Sequence, residues 1–447
     1  VGGAFISVSG GWFAPGVYGD ANAPTEPGSG GYAGGTAGGG AVCIEATDLV
    51  RVDGAVRASA GSITPTLTLV NQSCGAGGSV WISCAKFTGS GGSVLADGGS
   101  SDFGGGPEFI TYYAQGRSIS KSQAGGGGRI RITYGAAQAS ETPDVLVSAA
   151  AGGYKGFSDG TGRLTAATHD KYFADADLGT VTFTDDVLVR QLLGWRLSGR
   201  LVGVSSYFHT GDLSWTNGHV RFAGTGAVVR ITGNLVLSGA DSRLEIGGVL
   251  TRTNVTVVVD RWGGRALNRL TVGGDLEVLD GAALDIRAAE TNATMAWGGE
   301  IAVDGDFTVG TGAHFRPWCD ILNLGAPHVT VGGAFTVAAG GEVSADRRGG
   351  APGHQTGTWA PRLGNRTAGY GYGAGISAGA SHGGSGGKGY QSNSDTSSGT
   401  PPSLVDDEWT AAYPGAGGFA DGYGEGGIGG GLVYVEARGP VTVDGTI

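Results

Sequence analysis

Apolar and polar residues alternate in short runs, and one run recurs along the chain. VRVDGAVRA (50–58), LTVGGDLEV (270–278), IAVDGDFTV (301–309) and VTVGGAFTV (329–337) share the order apolar-x-Val-x-Gly-x-apolar-x-apolar. VRITGNLVL (229–237) follows it loosely, and VTVDGTI closes the chain. The alternation has period two: Leu270, Val272, Leu276 and Val278 point one way and Thr271 and Glu277 the other. Each unit therefore predicts two strands of about three to five residues hinged at the glycine, which permits the bend at a corner. The structural turn positions are Gly3, Gly54, Gly233, Gly274, Gly305, Gly333 and Gly445. Gly233, Gly274, Gly305 and Gly333 stand 41, 31 and 28 residues apart, a spacing that suits one solenoid coil with loops of variable length.

The two ends of the chain belong to the same pattern. VGGAF opens the chain and returns at 331–335, and GAVCIEATDLVRVDGAV (Gly40–Val56) returns as GLVYVEARGPVTVDGTI (Gly431–Ile447). PGSGG at 27–31 reappears as PGAGG at 414–418. Stacked coils bury their apolar face only against neighbouring coils, so the expected fold class is all-β: a parallel β-helix solenoid with long Gly-rich loops and no capping helix. Right-handed crossover is the general preference for parallel strands. Three segments follow: 1–140, Gly-rich; 141–348, with the most regular coils; and 349–447, Gly-rich and repeating 1–56 with inserted loops. Ile447 stops halfway through a coil whose counterpart continues at Arg57, so the expectation is a cut in a longer repeating polypeptide or end-to-end association.

Composition narrows the classes. Glycine numbers 93 and hydrophobic residues make up 40%, so collagen, with its strict Gly-X-Y period, and full disorder are both excluded. Net charge is −11 with no basic stripe, which argues against a nucleic-acid partner. No run of about eighteen apolar residues offers a membrane span. The four cysteines fit no zinc or C-x-x-C spacing. Alternation sets Cys43 beside Glu45 on the face opposite Val42 and Ile44, and makes Cys84 a buried thiol. A Cys43–Cys74 bridge is the alternative to the preferred reading of unpaired thiols.

The succession GGGAVCIEATDLVRVDGAV, GAGGSVWISC and GGGGRIRITY resembles Gly-rich parallel β-helix segments of large secreted or surface proteins of bacteria, adhesin-like in organisation. The resemblance covers about half of the chain and implies an extracellular structural or adhesive role.

Candidate chemistry is sparse. GASHG (379–383) and the overlapping GISAG match the G-x-S-x-G nucleophile elbow at Ser381 and Ser377, but glycines follow where a helix is required. His382 reads as a loop residue. GEGGIG (424–429) fits G-x-G-x-x-G yet leads into the strand LVYVEA, and GGKGY lacks the phosphate-loop spacing. The carboxylates Asp185, Asp186, Asp275, Asp285, Asp304, Asp306 and those of Asp406–Glu408 are candidates for a polysaccharide-cleaving sheet face. Asp53, Asp304 and Asp444 all precede a turn glycine, which favours bonding to local amides. Calcium is the alternative, although the G-G-x-G-x-D-x-U-x repeat is missing. Trp81, Trp195, Trp215, Trp262, Trp297, Trp359 and Trp409 are candidates for glycan stacking or core, and four sequons begin at Asn71, Asn254, Asn292 and Asn365.

The expected function is an extracellular or cell-surface structural repeat protein, a filament, stalk or surface layer, with no catalytic residue and no cofactor. Its partners are copies of itself or further repeats, end to end, and glycans if it is adhesive. The alternative is a carbohydrate-active β-helix enzyme, which requires a carboxylate cluster, or a basic residue with carboxylates, on one exposed sheet face.

Overall fold

In a computed structural model, the structure describes residues 6–8, 11–13, 18–31, 35–63, 73–102, 124–155, 176–204, 206–223, 226–247, 250–253, 256–259, 267–288, 297–319, 325–346, 348–349, 353–354, 362–363, 366–367, 419–420 and 429–447. The chain forms two units, one of Val1–Val204 with Gly218–Val220 and Arg252–Thr256, the other of Ser205–Asn217, Arg221–Thr251 and Val257–Ile447. Nearly all regular structure is strand, and the strands pair in parallel from coil to coil, as a parallel β-helix requires.

In the second unit each coil has three sides. The first side stacks Ser206–His209, Val228–Ile231, Asn268–Val272, Gly299–Val303, Pro327–Val331 and Val435–Ala437. The second stacks Leu213–Trp215, Leu235–Ser238, Leu276–Leu279, Phe307–Val309, Phe335–Val337 and Val441–Val443. On the third, Arg243–Ile246, Ala283–Arg287, His314–Trp318 and Glu342–Val343 follow one another. The repeat read from the sequence covers only the first two sides. The third strand, with its own alternation in RLEI and ALDIR, is an addition to that reading.

Parallel pairing puts like residues over like. Tyr207, Val229, Leu270, Ile301 and Val329 form one inward row. Leu213, Leu235, Leu276, Phe307 and Phe335 form another. From Leu235 to Phe335 the members of that second row are at most 1% exposed. Phe307 meets both Phe315 and Phe335 edge-on with centroids 5.3 Å apart. Burying each such side chain contributes roughly 1.5–3 kcal/mol.

The first unit is built on the same plan but packs differently. Its coils begin at Ala41–Glu45, Ser79–Ser83, Arg129–Thr133 and Thr180–Phe183. The middle side is strand in the first two coils (Leu49–Arg51, Lys86–Thr88), a 3-10 turn (Ala136–Ser140) in the third and a short α-helix (Val187–Leu192) in the fourth. The Gln138 amide mimics the missing strand, accepting from Phe87 N at 2.7 Å and donating to Phe87 O at 3.0 Å. The helix buries Leu188, Val189 and Leu192, and its first free amide, Val187 N, donates to Asp185 Oδ1 at 2.9 Å.

Between the strands, glycine runs pack backbone on backbone. Amides of one run serve three neighbours: Ala76 N donates to Ser29 O at 2.9 Å, Gly77 N to Gly126 O at 2.9 Å and Gly78 N to Ala58 O at 2.7 Å. A Cβ at Gly78 would strike the Gly40 and Gly39 carbonyls, and one at Gly128 those of Gly78 and Ala96. None of these φ angles is in the left-handed region, so close approach, not turn geometry, selects glycine here.

Candidate functional site

At the corner between the first and second sides of the second unit, one side chain from each coil reaches the next. Asp212 Oδ1 accepts from Asn234 N (2.7 Å), Asn234 Oδ1 from Asp275 N (2.8 Å), Asp275 Oδ1 from Asp306 N (2.8 Å), and Asp306 Oδ1 from Ala334 N (2.7 Å). The turn glycines are explained by this ladder. A Cβ at Gly233, Gly274, Gly305 or Gly333 would collide with Asp212, Asn234, Asp275 or Asp306 Oδ1 respectively, and none of the four has positive φ. The bend itself does not demand glycine. The side-chain oxygen rising from the previous coil does. Gly445 is likewise crowded, by the Gly341 carbonyl; Gly54 faces open space; Gly3 lies outside the described residues.

The corner carboxylates are therefore structural acceptors. Asp53 bonds both locally, from Arg51 Nε at 2.6 Å, and to the next coil, from Ser90 N at 2.9 Å. Its side-chain bond to Arg51 holds the carboxyl below the usual range. Asp185 accepts from Val187 N at the start of the helix and from Tyr134 Oη at 2.7 Å, while Asp186, the N-cap residue, pairs with Arg190 at 2.6 Å. Asp406, Glu408, Ser377, Ser381 and His382 lie outside the described residues, as do Asn71, Asn254, Asn292 and Asn365.

The densest chemistry sits on the outward face of the third side of the second unit. Glu245 and Asp285 stand in register on adjacent coils, with Arg316 next in line. Both carboxylates are fully buried. Glu245 Oε2 accepts from Arg221 Nε at 2.6 Å and lies 3.4 Å from Arg287 Nη2. Asp285 Oδ2 is 2.9 Å from Arg243 Nε, and Oδ1 accepts from Trp318 Nε1 at 2.8 Å. Burial alone would raise the Asp285 pKa, but the Arg243 and Arg316 guanidiniums outweigh it and hold the carboxyl below its ordinary value. Burial lowers the Arg287 pKa, with Arg221 adding to it. The Arg287 and Arg348 guanidiniums lie over the Trp318 ring, 4.2 and 4.6 Å from its centroid. Of this network only Asp285 was among the sequence candidates. Parity marks the others as outward-facing, but the third strand first had to be found.

Other groups are spread out. Trp297 stacks on His328 with centroids 4.8 Å apart, Tyr434 tilts against both, and His328 Nε2 lies 3.4 Å from Glu436 Oε2. Trp215 is 1% exposed in the interior and Trp195 is 40% exposed beside Arg196, so the described tryptophans do not share one surface. Trp262, Trp359 and Trp409 lie outside the described residues. All four cysteines are free thiols, so Cys43 and Cys74 are not bridged, and burial pushes Cys74 up to about 11. Among the described residues no group of three or more His, Cys, Asp or Glu could hold a metal ion, and no helix is long and apolar enough to cross a membrane.

The two related segments form open coils. Among the described residues, Ala41–Glu45, Leu49–Arg51 and Ala55–Arg57 pair only with the coil that follows, and Val435–Ala437 and Val441–Val443 only with the coil that precedes. Val441 and Val443 continue the buried rows of Phe335 and Val337 yet are 59% and 45% exposed, and Ile447 is 59% exposed. No protein-family model, curated protein or solved structure matches the chain.

Proposed function

We propose that this chain is an extracellular structural repeat protein that forms, or belongs to, a filament, stalk or surface layer by stacking coil on coil. The observation that carries the reading is the exposure of Val441 and Val443, which continue the buried inward rows on strands that, among the described residues, pair on one side only. An edge of this kind recruits another strand unless something covers it. The corner ladder and the glycine contacts also support the reading, since they serve cohesion between coils.

Static light scattering and negative-stain electron microscopy of the purified chain test it. Concentration-dependent, end-to-end species are expected. A 44.4 kDa monomer at every concentration would remove the proposal.

The carbohydrate-active alternative has one observation in its favour, the in-register Glu245–Asp285 pair among arginines on an outward sheet face. Both acids are buried and clamped, which favours cohesion over catalysis. Release of oligosaccharides from acidic polysaccharides, lost in Asp285→Asn, would reinstate the enzyme reading.

A further inference from the structure

The related segments Gly40–Val56 and Gly431–Ile447 are identical at eight of seventeen positions, and each occupies an open coil. Their open edges are opposite ones. Among the described residues, the first pairs only with the coil of Ser79–Leu95, on one side, and the second only with the coil of Pro327–Val343, on the opposite side.

The hydrogen-bonding groups match position by position. On the last coil, Tyr434 O accepts from Val329 N, Arg438 N donates to Val331 O, Pro440 O accepts from Phe335 N, and Asp444 N donates to Val337 O. Alternate residues of a parallel strand bond to opposite neighbours, so Tyr434, Glu436, Thr442 and Asp444 address the preceding coil. On the first coil, Gly40 O and the amides of Ala46 and Val52 bond to the following coil. Cys43, Glu45, Arg51 and Asp53, the counterparts of those four, consequently present their backbone groups to the open edge. The inward residues agree as well. Ile44, Ala46, Val50 and Val52 stand where Val435, Ala437, Val441 and Val443 lie on Val329, Val331, Phe335 and Val337. Glu45 replaces Glu436, the partner of His328.

We infer that the last coil is an internal stand-in for the first coil of a second copy, and that end-to-end association proceeds by exchange. The first coil of one copy displaces Gly431–Ile447 of another and docks on Pro327–Val331 and Phe335–Val337. This rests on the stacking reading and moves its interface one coil inward, from the exposed edge at Val441 and Val443 to the edge they cover. Being tethered, the chain's own coil competes at a high effective concentration and holds the edge in dilute solution. Exchange gives up side-chain contacts that Cys43 and Ala41 do not replace, those of the Tyr434 ring with Trp297 and His328 and those of the Leu432 side chain with Cys319 and Ala326.

The test uses the full chain in sedimentation velocity. Thr442→Pro removes an amide from the last coil's inner edge and loosens it. Association is then expected to strengthen about tenfold or more over the unaltered chain. Adding Arg51→Pro, at the matching amide of the first coil, returns the Thr442→Pro chain to monomer, and far-ultraviolet circular dichroism checks that it is folded. A synthetic Gly431–Ile447 peptide in excess, acting on the Thr442→Pro chain alone, has the same effect without altering the first coil. If the unaltered chain associates but Thr442→Pro adds nothing, or if neither Arg51→Pro nor the peptide reverses it, exchange is wrong and stacking by another surface stands. If no form associates, both proposals fall.

Discussion

The glycine-packed coils of the first unit and the side-chain-packed coils of the second show two ways to make a stacked β-structure cohere. In the second, rows such as Leu235, Leu276, Phe307 and Phe335 fill the interior, and the stabilisation comes from apolar area removed from water. The first has apolar rows too, such as Val80, Ile130 and Val181, but beside them the segments around Gly39, Gly78 and Gly128 approach so closely that no Cβ fits, and amides shared among three neighbours add to the cohesion. Backbone packing gains many hydrogen bonds, each worth about 1 kcal/mol net, at the cost of the extra chain entropy of glycine. It should therefore tolerate no side chain at all, whereas the apolar rows should tolerate changes of shape.

The sharpest way to break this contrast is at Gly128. Gly128→Val should prevent the first unit from folding, a loss above about 4 kcal/mol, because Cβ would meet the Gly78 and Ala96 carbonyls and neither can withdraw. Gly40→Ala, which meets nothing within 4 Å, should be nearly neutral. Chemical unfolding of the two variants reads the difference; equal stabilities would mean that the glycine runs are linkers, not packing surfaces.

The second unit has its own intolerant spot. Glu245→Ala leaves the Arg221 guanidinium, 6% exposed, without its 2.6 Å partner, and should cost about 3–5 kcal/mol. In the same unit Phe307→Leu should cost about 1.5 kcal/mol or less, since its neighbours can repack. Thermal unfolding in which Phe307→Leu loses more stability than Glu245→Ala would overturn this ordering.

How much of this was legible in the sequence follows from the same contrast. The V-x-V-x-G runs exposed the first two sides because inward valines and leucines recur at fixed steps from a glycine. The third side stayed hidden because its outward positions hold Arg, Glu, Asp and Trp, which vary from coil to coil and obscure the alternation of Leu244 and Ile246. The Glu245–Asp285–Arg network was hidden with it, since its members lie some 20 to 40 residues apart and meet only once the coils are stacked in register. The helix at Val187–Leu192 reads as an apolar run in VLVRQLL; only Asp185, bonding Val187 N, marks where it starts. Glycine at the corners was visible, but its cause was not, because the atom that forbids a Cβ at Gly274 belongs to Asn234 of the preceding coil.

That cause can be measured. Gly274→Ala alone should cost about 2–4 kcal/mol, as the new methyl meets Asn234 Oδ1. Asn234→Ala alone should cost about 1 kcal/mol, for the lost 2.8 Å bond to Asp275 N. The two together should cost less than their sum by about 1–2 kcal/mol, because the nearest remaining atom, Asn234 N, is 3.1 Å away. Strict additivity in urea unfolding would show that the corner glycine is required by the bend after all, and the contrast between the units would then narrow.

The smallest effect separates the units by pH. In the second, burial and then the Arg316 charge lower the pKa of His314, so the unfolded chain binds this proton more readily. Stability from His314 is present above the ordinary histidine value of about 6.5 and is lost as pH falls through the folded value. Asp285, held low by Arg243 and Arg316 against its burial, behaves alike at lower pH: its contribution is present above about 3.9 and lost as pH falls further. In the first unit burial raises Asp97, in spite of bonds from Ser148 Oγ and Ala150 N, so its contribution has the opposite sign, full below about 3.9 and lost as pH rises through the folded value. Acidification from neutral pH should thus loosen the third side of the second unit at His314–Trp318 while the layer around Asp97 and Ala150 tightens. Hydrogen exchange resolved to peptides, with rates corrected for intrinsic pH dependence, reads both. Parallel loosening of the two regions would mean that the global net charge of −11, not these local groups, governs the response.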